Sequence, residues 1–203
     1  LLPILLLAIS GCRLHAGAPE RPQPVVAGYS QDVEVDSERG RIRITELTRG
    51  LENPWSLALL PDGDMLVSER PGRLLKLDAK GNLLAQIEGL PTIFVDGQAG
   101  LLDVVPAPDF ASSKLVYLSF AKPNLGGNLA GTAVFRARLE GNALVDGKVI
   151  YEQEPKLSSG THVGSRLVFD GRGHLFVTQG ENNKRPTAQD LDKLQGKLVR
   201  LNL

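Results

Sequence analysis

Cysteine, histidine and unbalanced charge are all scarce in this chain, and each shortage excludes a kind of site. The one cysteine among 203 residues, Cys12, leaves no intrachain disulfide to form, and with three histidines no Cys/His cluster has zinc spacing. Lysine plus arginine equal aspartate plus glutamate at 23 each, and no basic run interleaved with aromatics is present to grip a phosphate backbone. Nucleic acid is not an expected partner. No Gly-x-Ser-x-Gly elbow occurs and no Gly-x-Gly-x-x-Gly loop follows a strand pattern, which argues against the commonest serine hydrolases and dinucleotide-binding folds.

Long apolar runs are missing too. Leu1 to Ile9 falls short of the ~20 apolar residues that a spanning helix needs, and has the length of a signal-peptide core. The Ile9-Ser10-Gly11-Cys12 that follows resembles the lipobox of bacterial lipoproteins. Residues 1–12 are therefore expected to be a signal peptide, with Cys12 lipidated and the protein exported to the periplasm or cell envelope, touching membrane through that anchor only. An ordinary signal peptide that happens to contain a cysteine is the alternative. The chain opens on Leu1 without a basic n-region, so residues upstream of it are expected. Residues 13–32, rich in Pro, Ala and Gly with few apolar anchors, read as a flexible tether, and folding is expected to start near Val33.

What the chain does have is turn residues between short apolar runs. Its 22 glycines and 13 prolines are dispersed, as in strands separated by turns, and the composition is that of an all-β globular protein. Three segments share one pattern of strand, Asp-containing turn, strand: Ser56 to Ser68, Leu101 to Ser119, and Arg166 to Thr178. Further strand candidates follow each, at Gly72 to Leu77, Thr132 to Leu139 and Lys197 to Leu203. A small sheet recurring at roughly 40–50 residues matches a β-propeller blade better than a β-sandwich, whose strands alternate at about 8–12 residues with no higher period. About three blades fit in residues 33–203, fewer than the 4–8 that usually close a ring. The segment reads as the N-terminal part of a propeller.

Loops entering the innermost strands form one face of such a fold, and three of them carry conspicuous polar residues: Asp96 to Gly100, Ser158 to Gly164, and Gln179 to Asn183. His162, set in a glycine-containing loop, is the candidate general base, because an imidazole titrating near 6.5 accepts a proton from an alcohol at neutral pH. A loop histidine bonded to neighbouring backbone is the plain alternative. Gln98 sits where glycines let a ligand approach the backbone, and its amide offers donor and acceptor; a solvated turn glutamine reads equally well. Glu181 with Asn182 and Asn183 would bind a cation, orient His162 or merely cap a turn. Thr187 to Lys193 reads as a helical turn with Thr187 as its N-cap.

Five segments carry a family resemblance. Asn53-Pro54-Trp55-Ser56-Leu57-Ala58, Gly97-Gln98-Ala99-Gly100-Leu101-Leu102-Asp103-Val104, Thr161-His162-Val163-Gly164-Ser165-Arg166-Leu167, Gly180-Glu181-Asn182-Asn183 and Gln195-Gly196-Lys197-Leu198-Val199-Arg200-Leu201 resemble, in family order, motifs of the glucose/sorbosone dehydrogenases. Among these, bacterial aldose sugar dehydrogenases use pyrroloquinoline quinone (PQQ).

The resemblance implies a six-bladed propeller with PQQ over its channel, Ca²⁺ on the cofactor, and an aldose oxidised at its anomeric carbon to the aldonolactone. His162 matches the histidine that takes the hydroxyl proton as hydride passes to the quinone. Gln98 matches a glutamine lining the cofactor and sugar pocket, and Glu181 an acidic residue that orients the imidazole. The implied catalytic residues are thus His162 and Glu181, and the implied cofactor contacts Gln98 and His162. Thr161 replaces the acidic residue that precedes the histidine in glucose-oxidising relatives, so no sugar is singled out. The family's main calcium ligands and its cationic contacts to the quinone carboxylates belong to later blades, so this segment is expected to bind no quinone tightly. A non-catalytic propeller that binds protein or glycan, and a calcium-dependent propeller lactonase, are the competing readings. The electron acceptor is not legible.

Overall fold

The computed structural model describes residues 26–27 and 32–203. Cys12, the signal-peptide segment and most of the tether segment lie outside the described residues. Within the latter, β1 (Val26–Ala27) pairs with β4 (Thr48–Arg49), and between them β2 (Val33–Ser37) and β3 (Gly40–Ile44) form a hairpin. That hairpin has two unlike faces. Val33, Val35, Ile42 and Ile44 share the apolar one and stay 43–56% exposed, while Glu34 and Asp36 meet Arg41 on the other.

Three antiparallel sheets follow, each with its strands in chain order. The first runs β5 (Pro54–Leu59), β6 (Met65–Glu69), β7 (Arg73–Leu77), β8 (Leu83–Gln86). Its turns are those the sequence specifies: the Asp62 carboxylate accepts the Asp64 amide at 3.1 Å, and Asp78 accepts those of Lys80 and Asn82 at 2.8 and 2.9 Å. The second sheet holds β9 (Leu101–Pro106), β10 (Leu115–Pro123), β11 (Ala130–Glu140) and β12 (Ala143–Glu152). The third holds β13 (Leu167–Phe169), β14 (His174–Thr178) and β15 (Leu198–Asn202). This is the expected succession of blades.

Two local expectations change. The reversal between β9 and β10 is a one-turn helix, α1 (Phe110–Ser113), because Ser113 bonds back to Asp109 at 3.0 Å while Phe110 buries its ring in the core. The helical turn near Thr187 is instead a 3₁₀ turn at Arg185–Ala188. Lys184 takes the N-cap position because Pro186, with no N–H to lose, favours the first turn; Thr187 falls inside and donates its hydroxyl to the Lys184 carbonyl at 2.7 Å.

Burial follows from the alternation of strand side chains. One core cluster, including Leu66, Leu74, Leu101, Leu118 and Phe120, lies between the first and second sheets. Another, with Leu167, Leu175 and Val177, joins the second to the third, where Tyr117 and Phe169 meet edge to face at 5.1 Å. A third underlies the polar loops: Ala99, Leu102, Ala121, Ala130 and Val163, with Trp55 and Phe94 packed against them.

The first strands of the three sheets stand side by side, and one buried carboxylate joins them. Asp103 Oδ1, on β9, accepts the Ser56 hydroxyl of β5 at 2.5 Å, its neighbour Val104 N–H at 3.0 Å and Arg166 Nη1 at 3.1 Å. Its Oδ2 accepts the Leu167 N–H of β13 at 2.8 Å. Hydrogen bonds to an ionised acceptor are stronger than neutral ones, so this residue supplies direction to an otherwise apolar junction.

Candidate active site

The three polar loops meet backbone to backbone. The Gly160 carbonyl accepts the N–H groups of Gln98 at 2.7 Å and Ala99 at 3.1 Å, and the Val163 carbonyl accepts that of Gly180 at 3.0 Å. Two glycines make this approach possible. A Cβ on Gly160 would lie 2.3 Å from the Asp96 carbonyl oxygen, and one on Gly180 1.6 Å from that of His162. No side chain fits either place.

His162 sits in this frame with φ 48, a left-handed conformation uncommon outside glycine, although histidine is among the residues enriched there. The chain around it holds that conformation in place. Its N–H donates to Gln98 Oε1 at 2.8 Å, and its carbonyl accepts the Asn182 N–H at 3.1 Å. Its ring nitrogen Nδ1 lies 2.5 Å from Glu181 Oε1, and the side chain is 42% exposed. Nε2 has no hydrogen-bond partner among the described residues.

Electrostatics assign the protons. The bond to His162, foremost among several, holds the Glu181 carboxyl below the usual carboxylate range, so Glu181 is ionised at neutral pH and accepts only. In the neutral imidazole the hydrogen then belongs on Nδ1, which leaves Nε2 with a free lone pair. Gln98 is likewise half used: its oxygen holds His162 and its amide nitrogen has no partner among the described residues. A proton acceptor and a donor thus share an open surface.

Gln98, His162 and Glu181 are therefore brought together in one place. Glu181 serves the imidazole, and buried Asn182 donates to the Thr161 carbonyl at 3.4 Å. His174 is elsewhere, bonded to Asp170 at the start of β14. A cleft of 910 Å³ lined by Pro91, Lys122, Leu125 and Glu154 includes none of the three site residues. Among the described residues no group of three or more His, Cys, Asp or Glu is placed to hold a metal ion.

Sequence reasoning assigned no role to Asp103, Arg166 or Trp55, although all three stand in the motifs it singled out. The signal was there: an acid between Leu102 and Val104, in a strand whose first residues are buried, requires a partner. That partner, Arg166, also places its guanidinium 4.6 Å from the centre of the Trp55 ring.

Two four-stranded meanders and a three-stranded one, joined along their first strands, define part of a β-propeller. The glucose/sorbosone dehydrogenase profile matches residues 51–203, and the chain belongs to that family. It is 50% identical over 163 residues to the aldose sugar dehydrogenase YliI of Escherichia coli, a match covering 79% of this chain and 44% of the relative. The crystal structure of the soluble E. coli aldose sugar dehydrogenase in its apo form superposes with a TM-score of 0.71 at 52% identity, over 75% of this chain and 44% of that one. The PQQ-bound aldose sugar dehydrogenase of Streptomyces coelicolor gives a TM-score of 0.67 at 30% identity, over 75% and 45% respectively. The chain spans about half the length of the relatives it matches.

Proposed function

We propose that the chain carries the proton-abstracting part of a PQQ-dependent dehydrogenase that oxidises aldoses to aldonolactones. The observation that carries this reading is the His162 ring, fixed through Nδ1 by an ionised Glu181 and open at Nε2 beside the free amide nitrogen of Gln98. An exposed surface offering one acceptor and one donor fits a planar, oxygen-rich cofactor and a sugar hydroxyl. When bound, PQQ supplies the hydride acceptor. His162 Nε2 takes the proton of the anomeric hydroxyl as the hydride leaves the same carbon, and the C–O bond becomes a carbonyl. Glu181 holds the ring in the tautomer that can do this and stabilises it once protonated. Gln98 fixes the backbone beneath His162 and donates to cofactor or sugar.

Calcium was expected from the family resemblance. The described residues do not fit it, because no three acidic, His or Cys side chains among them are grouped to hold a metal ion. With about half the relatives' length present, the 203-residue chain alone holds the quinone weakly. The test compares this chain with a protein carrying the whole propeller, following dye reduction with glucose and added PQQ. Turnover that requires the quinone and the whole propeller is the expected result; lactone hydrolysis without quinone, or glycan binding without oxidation, would sink the proposal.

The lipobox resemblance supports a further part of this reading, an envelope enzyme anchored through Cys12. Bacteria expressing the protein with its leader and fed an alkyne fatty acid should label it, and Cys12→Ser should abolish the label. Equal labelling of both forms would rule the anchor out.

A further inference from the structure

The far ends of the first strands border a second cleft. The loops that enter β9 and β13 carry Gln98 and His162; the turns that leave those strands supply Ala107, Pro108 and Asp109 from one and Gly171 and Gly173 from the other to a cleft of 380 Å³. That volume suits a small organic ligand. Leu115, Tyr117 and Phe169, packed between the second and third sheets, give it an apolar floor.

Tyr117 is the anomaly. It is 3% exposed and its ring stands edge to face against Phe169, yet its hydroxyl has no hydrogen-bond partner among the described residues. A buried tyrosine usually bonds through that oxygen, and one that only filled the core could be phenylalanine. Nor is the hydroxyl sealed from solvent, so it opens into the cleft. A second unused donor stands beside it. Arg136 lies directly opposite Tyr117 in the pairing of β10 with β11, hence on the same face of the sheet, and also lines the cleft. It is partly buried and has neither an ion pair nor a hydrogen bond from its side chain among the described residues. Its partner on the other side is Lys148, a like charge, while the nearby acids Glu140 and Asp146 both serve Arg138.

The remaining polar groups limit what would fit. His174, on the facing turn, is held through Nδ1 by Asp170 at 2.7 Å, and Asp109 accepts the Ser113 hydroxyl at 3.0 Å. A second negative charge on the ligand would meet the Asp109 carboxylate, whereas a single one finds a guanidinium fork and a phenol hydroxyl side by side.

We propose that this cleft binds a small organic monocarboxylate, its acid group on Arg136 and the Tyr117 hydroxyl and its apolar body against Phe169 and Leu115. The site lies at the strand ends away from His162 and does not rest on the quinone reading.

Benzoate is the probe, with benzamide as its neutral counterpart and inorganic phosphate as an anion without an apolar body. In the whole propeller prepared with isotope-labelled histidine, the ring signals of His174 and His162, assigned through His174→Gln and His162→Ala, report on the two ends of the strands separately. Benzoate should shift the His174 signal saturably and leave that of His162 in place, and benzamide and phosphate should act at least tenfold more weakly. Tyr117→Phe removes a hydroxyl that bonds nothing in the protein, so its urea midpoint should match the parent. Benzoate affinity should nevertheless fall about tenfold or more, as for the loss of one hydrogen bond to a charged group, and Arg136→Gln should weaken it at least as far. The proposal is overturned by a benzoate shift at His162 alone or at neither histidine, by equal binding of benzamide or phosphate, or by unchanged affinity in Tyr117→Phe.

Discussion

His162→Ala is expected to lower aldose turnover in the whole propeller by about 10²–10⁴, the range that a positioned general base contributes. Quinone binding, followed by the cofactor's absorption, should survive, since Gln98 remains. The intermediate case is Glu181→Gln. It keeps a hydrogen-bonding group of the same size but removes the charge that orients and stabilises the imidazole, so kcat should fall while KM for the sugar changes little. The sign of the pH effect follows from Glu181. Its carboxyl is depressed by His162, so the contact contributes fully above the ordinary glutamate range and is lost only as pH falls through the depressed value. In His162→Ala the carboxyl should titrate higher than in the unsubstituted protein. Wild-type turnover in His162→Ala would remove the imidazole from the chemistry.

The largest effect on stability is expected from Asp103→Ala. Removing this carboxylate strands the Leu167 N–H and the Ser56 hydroxyl in a buried junction, a loss of about 1–3 kcal/mol for each donor left unpaired, while the exposed Arg166 guanidinium adds little. Asp103→Asn is a sharper probe. Its amide can present an oxygen to Ser56 and Arg166 or to Leu167, but not to all three, so it too should unfold at lower urea than the parent. Urea midpoints by circular dichroism check both variants. A change within about 0.5 kcal/mol, the size of an ordinary surface substitution, would mean that apolar packing alone holds the three sheets together.

How much of this was readable from residues alone varies by element, and the reason is physical. The hairpins at Ser56 to Ser68 and Arg166 to Thr178 were legible because Asp-Gly turns and period-two burial are local properties of the chain. Strand β12 was not, since Asp146 takes a positive φ of 52 within it and the pairing register with β11 shifts alongside. Leu83–Gln86 was missed because it is short and largely exposed. At the site, Gln98, His162 and Glu181 stood in three loops separated by 64 and 19 positions, and only the fold shows that they touch. The role of Asp103 was hidden differently: its type was unusual for its strand, but its partners come from two other sheets.

The glycine contacts at 160 and 180 divide the site into parts with different freedom to change. Where main chain presses on main chain, almost any added side chain breaks the arrangement, whatever its chemistry. By contrast, the Thr161 hydroxyl meets only that of Ser159, at 3.0 Å, so the side chain just before His162 is spare as far as the scaffold is concerned. The side chains at 159 and 161 can therefore change while the His162 ring, fixed from Gln98 and Glu181, stays where it is.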